Sequence, residues 1–132
     1  ELGVANIIRS GNEVTIISYG MGVHWAISTL DKLNYIDADL IDLRTLVPLD
    51  FELIKTSLKK TGKLIILQED CYIGGFASHI SSLVSEECFE LLDAPIIICS
   101  SIDTPVPFSK NLEDNFLAKS RFEDKLLNLI EY

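Results

Sequence analysis

The chain is 132 residues long, 48% hydrophobic and 23% charged. This is the make-up of one globular domain and not of a disordered polymer. A net charge of −9 makes phosphate backbones and anionic lipid poor partners and would draw in a basic one.

No apolar run approaches the roughly 18 residues of a transmembrane helix. The start, Glu1-Leu2-Gly3-Val4, has neither the basic-then-apolar pattern of a signal peptide nor an initiator Met, so a fragment of a longer chain is expected. Cys71, Cys88 and Cys99 show no CxxC spacing, which argues against a disulfide framework or a structural zinc. Reduced thiols in a bacterial cytoplasm are the expected state.

Residues 5–9 suggest an N-terminal edge strand. Val14-Thr15-Ile16-Ile17-Ser18-Tyr19 is short, β-branched and continuous, as a strand covered on both faces should be. Gly20-Met21-Gly22 breaks it, and Val23, Ala26, Ile27, Leu30 and Leu33 follow at helical spacing. Residues 38–43 read as a second strand. Pro48 and Asp50 announce a helix with Asp50 as N-cap, Phe51, Ile54 and Leu58 on one face, and Gly62 just past its end. Leu64-Ile65-Ile66-Leu67 is a third strand. After Gly74-Gly75, the residues Phe76, Ile80, Leu83, Val84 and Cys88 mark another helix face.

Pro95 opens the strand Ile96-Ile97-Ile98-Cys99. Asp103-Thr104-Pro105-Val106-Pro107 must be an irregular loop, since neither proline fits a helix interior or a central ladder. Ser120-Arg121-Phe122-Glu123 has the form of a capping box before a last helix striped by Phe122, Leu126, Leu127 and Ile130. Alternation of strand and helix with short connections predicts a mostly parallel sheet in a three-layer α/β/α domain. Ligands of such sheets sit beyond the carboxyl ends of the strands.

Two such ends carry polar or reactive residues. At Gly20-Met21-Gly22-Val23-His24-Trp25, Asp42 falls at the offset of a ribose-binding acid. Trp25, however, stands where a dinucleotide fold needs its third glycine. A tight turn with positive φ explains the glycines as well. The second end, Gln68-Glu69-Asp70-Cys71 through His79, offers carboxylates, a thiol and a histidine. A Cys–His pair or a metal site can be drawn there. Helix capping by Glu69 or Asp70, a packed Cys71 and a surface His79 are the plainer readings. His24 and His79 both fall in a helix's opening turn. Asp93, in Leu91-Leu92-Asp93-Ala94-Pro95, lies before a strand and so at the opposite rim, as a turn residue or an arginine anchor.

The run Asp42-Leu43-Arg44-Thr45-Leu46-Val47-Pro48-Leu49-Asp50 closely resembles the C-terminal domain of the beta subunit of thiamine-diphosphate-dependent 2-oxo-acid dehydrogenases. Similar runs are Val23-His24, Lys60-Thr61-Gly62-Lys63-Leu64, Gly74-Gly75-Phe76-Ala77, Leu92-Asp93-Ala94-Pro95, Asp103-Thr104-Pro105-Val106-Pro107 and the tail ending at Tyr132. The resemblance covers essentially the whole chain. Ser85-Glu86-Glu87-Cys88-Phe89 leans toward the branched-chain, 2-oxoisovalerate, members.

The resemblance implies one domain over residues 1–132, with the transketolase C-terminal-domain fold. That fold is a five-stranded, mostly parallel mixed sheet with helices on both faces, and residues 5–9 would be its antiparallel edge. It implies that thiamine diphosphate and Mg2+ belong to other parts of the intact enzyme, so that no catalytic, cofactor or metal residue is expected here. It also implies docking of the dihydrolipoyl acyltransferase component through Asp93 and the terminal carboxylate at Tyr132. Two-fold pairing with another beta region, and contact with the alpha region, would use a surface for which Trp25, Phe76, His24 and His79 are the candidates. The alternative from the residues alone is a stand-alone α/β domain that binds a nucleotide or phosphate at the turn containing Gly20 and Gly22.

Overall fold

The computed structural model describes residues 1–132. Five strands form one sheet in the order β1-β3-β2-β4-β5. They are β1 (Asn6–Arg9), β2 (Val14–Ser18), β3 (Ala38–Asp42), β4 (Leu64–Cys71) and β5 (Ile97–Ser101). β1 is antiparallel to β3, and the remaining pairs are parallel. The helices are α1 (Met21–Lys32), α2 (Phe51–Thr61), α3 (Phe76–Glu87), α4 (Lys110–Phe116) and α5 (Lys119–Glu131), with a 3₁₀ turn at Phe89–Leu91. No helix is long and apolar enough to cross a membrane.

Successive strand residues point to opposite faces, and the apolar run of β2 therefore feeds two cores. Ile16 of β2 joins Leu40 and Ile65 beneath Leu30 of α1 and Phe122 and Leu126 of α5. Ile17 joins Ile41 and Ile66 beneath Ile54 and Leu58 of α2 and Ile80 and Val84 of α3. All of these side chains are buried, and each contributes about 1.5–3 kcal/mol relative to exposure.

The second layer also encloses polar groups. Thr15 shares hydrogen bonds with Ser57 (2.6 Å) and Thr61 (2.7 Å). The Asp39 carboxylate accepts from Ser57 and pairs with Lys60 at 2.8 Å. Buried hydroxyls and a buried carboxylate persist because they bond one another.

α2 begins and ends as its sequence predicts. Asp50 accepts the Leu53 N–H at 3.3 Å, and its other oxygen accepts the Ala5 N–H at 2.9 Å, tying β1 to the helix. Gly62 closes α2 in the left-handed region at φ 65°.

The capping box at Ser120 does not form. α5 starts at Lys119 behind a helical Ala118, and Ser120 Oγ donates back to the Leu117 carbonyl at 3.0 Å. The extended residue between α4 and α5 is Leu117, the cap position falls on Ala118, which has no side-chain acceptor, and Ser120 is taken into the first turn of α5. β4 runs four residues beyond its apolar core, through Cys71. That extension places Glu69 and Asp70 on a strand instead of a helix cap.

Candidate functional site

The turn after β2 puts Gly20 at φ 59° and starts α1 without a side-chain cap. Gly22 lies against Ser18 Oγ and the Leu67 carbonyl, where a Cβ has no room. Trp25 is 8% exposed and packs in the α1–α5 core. Its bulk fills the space that a dinucleotide fold keeps open for close helix–strand contact. Asp42 spends one oxygen on the Arg44 N–H at 3.0 Å, which holds Arg44 in the left-handed region at φ 59°. The adjoining open cavity of about 570 Å³ is lined by Gly20, Met21, His24, Asp42 and Arg44 among others.

The crevice between the carboxyl ends of β2 and β4 is the topological switch point, and the chain's own side chains fill it. Gln68, fully buried, accepts the Ala77 N–H at 2.8 Å and the Tyr19 hydroxyl at 3.1 Å, and donates to the Cys71 carbonyl at 2.8 Å. Gln68 thus does the capping of α3 expected of Glu69 or Asp70. Burial, and secondarily the charge of Asp70, raise the pKa of Tyr19, so it remains a neutral donor.

Cys71 Sγ donates to the Ile102 carbonyl at 3.3 Å. His79 makes an edge contact with the Phe76 ring, with centroids 5.3 Å apart. Each member of the Cys–His pair drawn from the sequence therefore has a partner of its own. No three His, Cys, Asp or Glu side chains converge as a metal site. These residues do not fit a magnesium-bound diphosphate.

The opposite rim differs. The Asp93 N–H donates to the Gly62 carbonyl at 2.8 Å, and the Asp93 carboxylate lies over Gly62, where a side chain would collide with it. A surface cavity of about 490 Å³ is lined by Ser85, Phe89, Asp93, Pro95 and Tyr132 with four others. A second cavity of about 370 Å³ continues from Pro95 and Tyr132 to Lys125 and Asn128. Asp93 and Tyr132, 39 residues apart in the chain, thus line one groove. Phe89 was not among the residues expected there. Its sequence signal was an aromatic residue at the end of a helix, outside any apolar stripe.

Among the residues expected at a subunit contact, His24 and His79 are exposed and Phe76 is half-buried. Trp25 is a correction: its ring is a core residue of this chain and offers no uncovered apolar face. Exposed apolar side chains gather instead on the connections after β4 and β5. Tyr72 and Ile73 follow β4, while Ile102, Val106 and Phe108 follow β5. The Ile73 N–H donates to Asp103 at 2.8 Å, tying the two connections together.

Comparison with known proteins places these features in a family. The pattern of the transketolase C-terminal domain matches residues 3–121. The pyruvate dehydrogenase E1 component subunit beta of Rickettsia felis is 43% identical over 84% of this chain and 35% of its own length. The 2-oxoisovalerate dehydrogenase subunit beta of Bacillus subtilis is 35% identical over 99% of this chain and 41% of its own length. Among solved structures, a split-gene transketolase described as an inactive beta4 tetramer superimposes with a TM-score of 0.82 at 25% identity. It is matched over 99% of this chain and 42% of its own. The chain therefore spans between a third and a half of the length of these relatives.

Proposed function

The chain belongs to the transketolase C-terminal domain family, and from that membership we propose that it is the C-terminal domain of the beta region of a 2-oxo-acid dehydrogenase. Its role is assembly and docking, while thiamine diphosphate and magnesium are held elsewhere in the intact oxidoreductase. The relatives include both pyruvate and 2-oxoisovalerate enzymes. The run from Ser85 to Phe89 is what favours a branched-chain substrate. Assay of the intact enzyme with 2-oxoisovalerate against pyruvate tests that choice. A bacterial cytoplasmic setting accords with the Rickettsia and Bacillus relatives.

The observation that carries the docking role is the shared groove of Asp93 and Tyr132. Asp93 is exposed, acceptor-only when ionised, and suited to a basic side chain. The net charge of −9 speeds encounter with a basic domain at low salt. The partner is the subunit-binding domain of the dihydrolipoyl acyltransferase. Calorimetric titration of that domain into the intact enzyme tests the reading. Saturable binding that weakens with salt supports it, and binding unchanged by Asp93→Ala removes Asp93 from it.

The apolar connections after β4 and β5 favour a second contact, two-fold pairing with another beta region. Burial of exposed Tyr72, Ile73 and Phe108 would supply its driving force. Sedimentation of the wild-type chain against an Ile73→Asp variant tests it.

A further inference from the structure

The cation selectivity of the Asp93 groove rests on its docking role but is not fixed by that role, because a carboxylate accepts lysine and arginine alike. The setting of the carboxylate bears on the choice. Its backbone is bonded to Gly62, which closes the carboxyl end of α2. That is the negative end of the helix dipole, where a carboxylate is disfavoured. Glu86, near the end of α3, and Glu90, in the 3₁₀ turn, are exposed acids in the same stretch of chain. Lys59 and Lys60 lie in the last turn of α2 and Lys125 lines the far end of the groove, but none of them pairs with Asp93. Lys60 pairs with Asp39 at 2.8 Å, and Lys63 Nζ donates to the Ile130 carbonyl at 2.8 Å. The ion pairs of the chain all involve other acids. Asp93 is thus exposed and without an ion-pair partner, open to an incoming cation.

The walls of the groove narrow the choice. Phe89 is 74% exposed and Tyr132 is 72% exposed, and both line the cavity with Asp93. Phe89 does not hang from a loose loop. It opens the 3₁₀ turn directly after Cys88, whose side chain is buried. The Cys88 N–H donates to the Val84 carbonyl at 2.8 Å, and the Leu91 N–H to the Cys88 carbonyl at 2.9 Å. A phenyl ring anchored through its backbone, in one cavity with a carboxylate that has no ion-pair partner, suits a flat, weakly hydrated cation. A guanidinium can stack on the ring while its N–H fork meets the carboxylate. An ammonium gains the charge but keeps its hydration and cannot stack.

We propose that Phe89 is a specificity-determining residue of this groove, selecting an arginine over a lysine side chain on the docking partner, with Tyr132 as the second aromatic wall. Asp93 supplies charge to either cation, and the phenyl ring separates them.

The test uses two probes, N-acetyl-arginine amide and N-acetyl-lysine amide, titrated at low salt into the chain and followed by amide chemical shifts around residues 85–95. The wild type should prefer the arginine probe by roughly two- to fivefold, the equilibrium equivalent of an exposed cation–π contact. Phe89→Leu keeps the apolar volume and should abolish the preference, while Phe89→Trp should keep or raise it. Asp93→Asn should weaken both probes. Equal affinities in the wild type, no shift with either probe, or a preference that survives Phe89→Leu overturns the proposal. The acyltransferase domain is titrated separately. If it fails to bind the wild type while the arginine preference stands, the docking reading fails and the selectivity does not. A wild-type dimer that Phe89→Leu dissociates shows that a second copy covers the ring, and that too overturns the proposal.

Discussion

The carboxylate of Asp93 rests on the bare face of Gly62. The two are also joined through the backbone by a 2.8 Å hydrogen bond. Gly62 ends α2 at φ 65°, so one glycine both stops a helix and leaves the space in which Asp93 sits. The groove and the helix terminus are in this way built from the same residue.

Substitution at Gly62 separates these two duties. Gly62→Ala should cost about 1–2 kcal/mol, because an L side chain disfavours the left-handed region, and it should also push the carboxylate aside. Gly62→Asn tolerates that region better but still displaces Asp93. We expect near-wild-type chemical denaturation for Gly62→Asn together with docking as weak as in Asp93→Ala. Full docking in Gly62→Asn would show that the carboxylate's seat is immaterial.

Asp93→Ala should weaken acyltransferase docking tenfold or more at low salt. Loss of one partner of a desolvated charge pair costs about 2–5 kcal/mol, against under about 1 kcal/mol for a pair left at a wet rim. The salt dependence of the affinity should flatten in the same variant. Calorimetry at two ionic strengths reads both effects.

Lys60 is half-exposed, but its charge serves a buried carboxylate. Asp39 keeps Lys60 and Ser57 on one oxygen, while the other has no partner. Lys60→Met should therefore destabilise the domain by about 2–4 kcal/mol. That lies toward the low side of the range for a broken buried pair, because Lys60 is 36% exposed. Adding Asp39→Asn should restore part of the loss. A Lys60→Met variant with wild-type urea stability would mean that the pair contributes nothing.

Burial pushes the Cys99 thiol up from 9.0 to about 11, and burial also raises Cys88. The folded state thus holds the Cys99 proton more tightly than the unfolded chain does. The associated stability is complete below about pH 9 and is lost as pH rises from about 9 to 11. The difference corresponds to about 2–3 kcal/mol. Cys99→Ala should flatten the fall in stability measured across that window. At about pH 8, just below the ordinary thiol range, iodoacetamide should label Cys71 first, since it alone of the three is not buried. Rapid native labelling of Cys99 would contradict its enclosure.

Ile73 and Phe108 are exposed on the connections after β4 and β5. Ile73→Asp and Phe108→Asp should change monomer stability by no more than about 0.5 kcal/mol, as surface substitutions do. Both should shift sedimentation toward the monomer where the wild type self-associates. Undiminished association in the double variant would locate the contact elsewhere.

The local sequence determined what depends on near neighbours. The β-branched runs of β2 and β4, the Asp50 cap and the Gly62 stop all follow from short-range sterics and hydrogen bonding, and each appears where those forces put it. The alternation of elements likewise determined the parallel sheet, because parallel strands demand crossovers. Contacts between distant segments were decided only by tertiary structure. Gln68 took over the capping of α3 because β4 ran on through Cys71 and brought its amide beneath Ala77. Trp25 went into the core because α5, about a hundred residues later in the chain, packed against α1. Ser120 lost its capping role because α5 began at Lys119, behind Ala118, and took Ser120 into its first turn. Phe89, Asp93 and Tyr132 met at one groove because the 3₁₀ turn, the entry to β5 and the end of α5 converge on the same rim. Short-range propensity encodes helix ends and strand cores, but a groove exists only once the elements that wall it have packed.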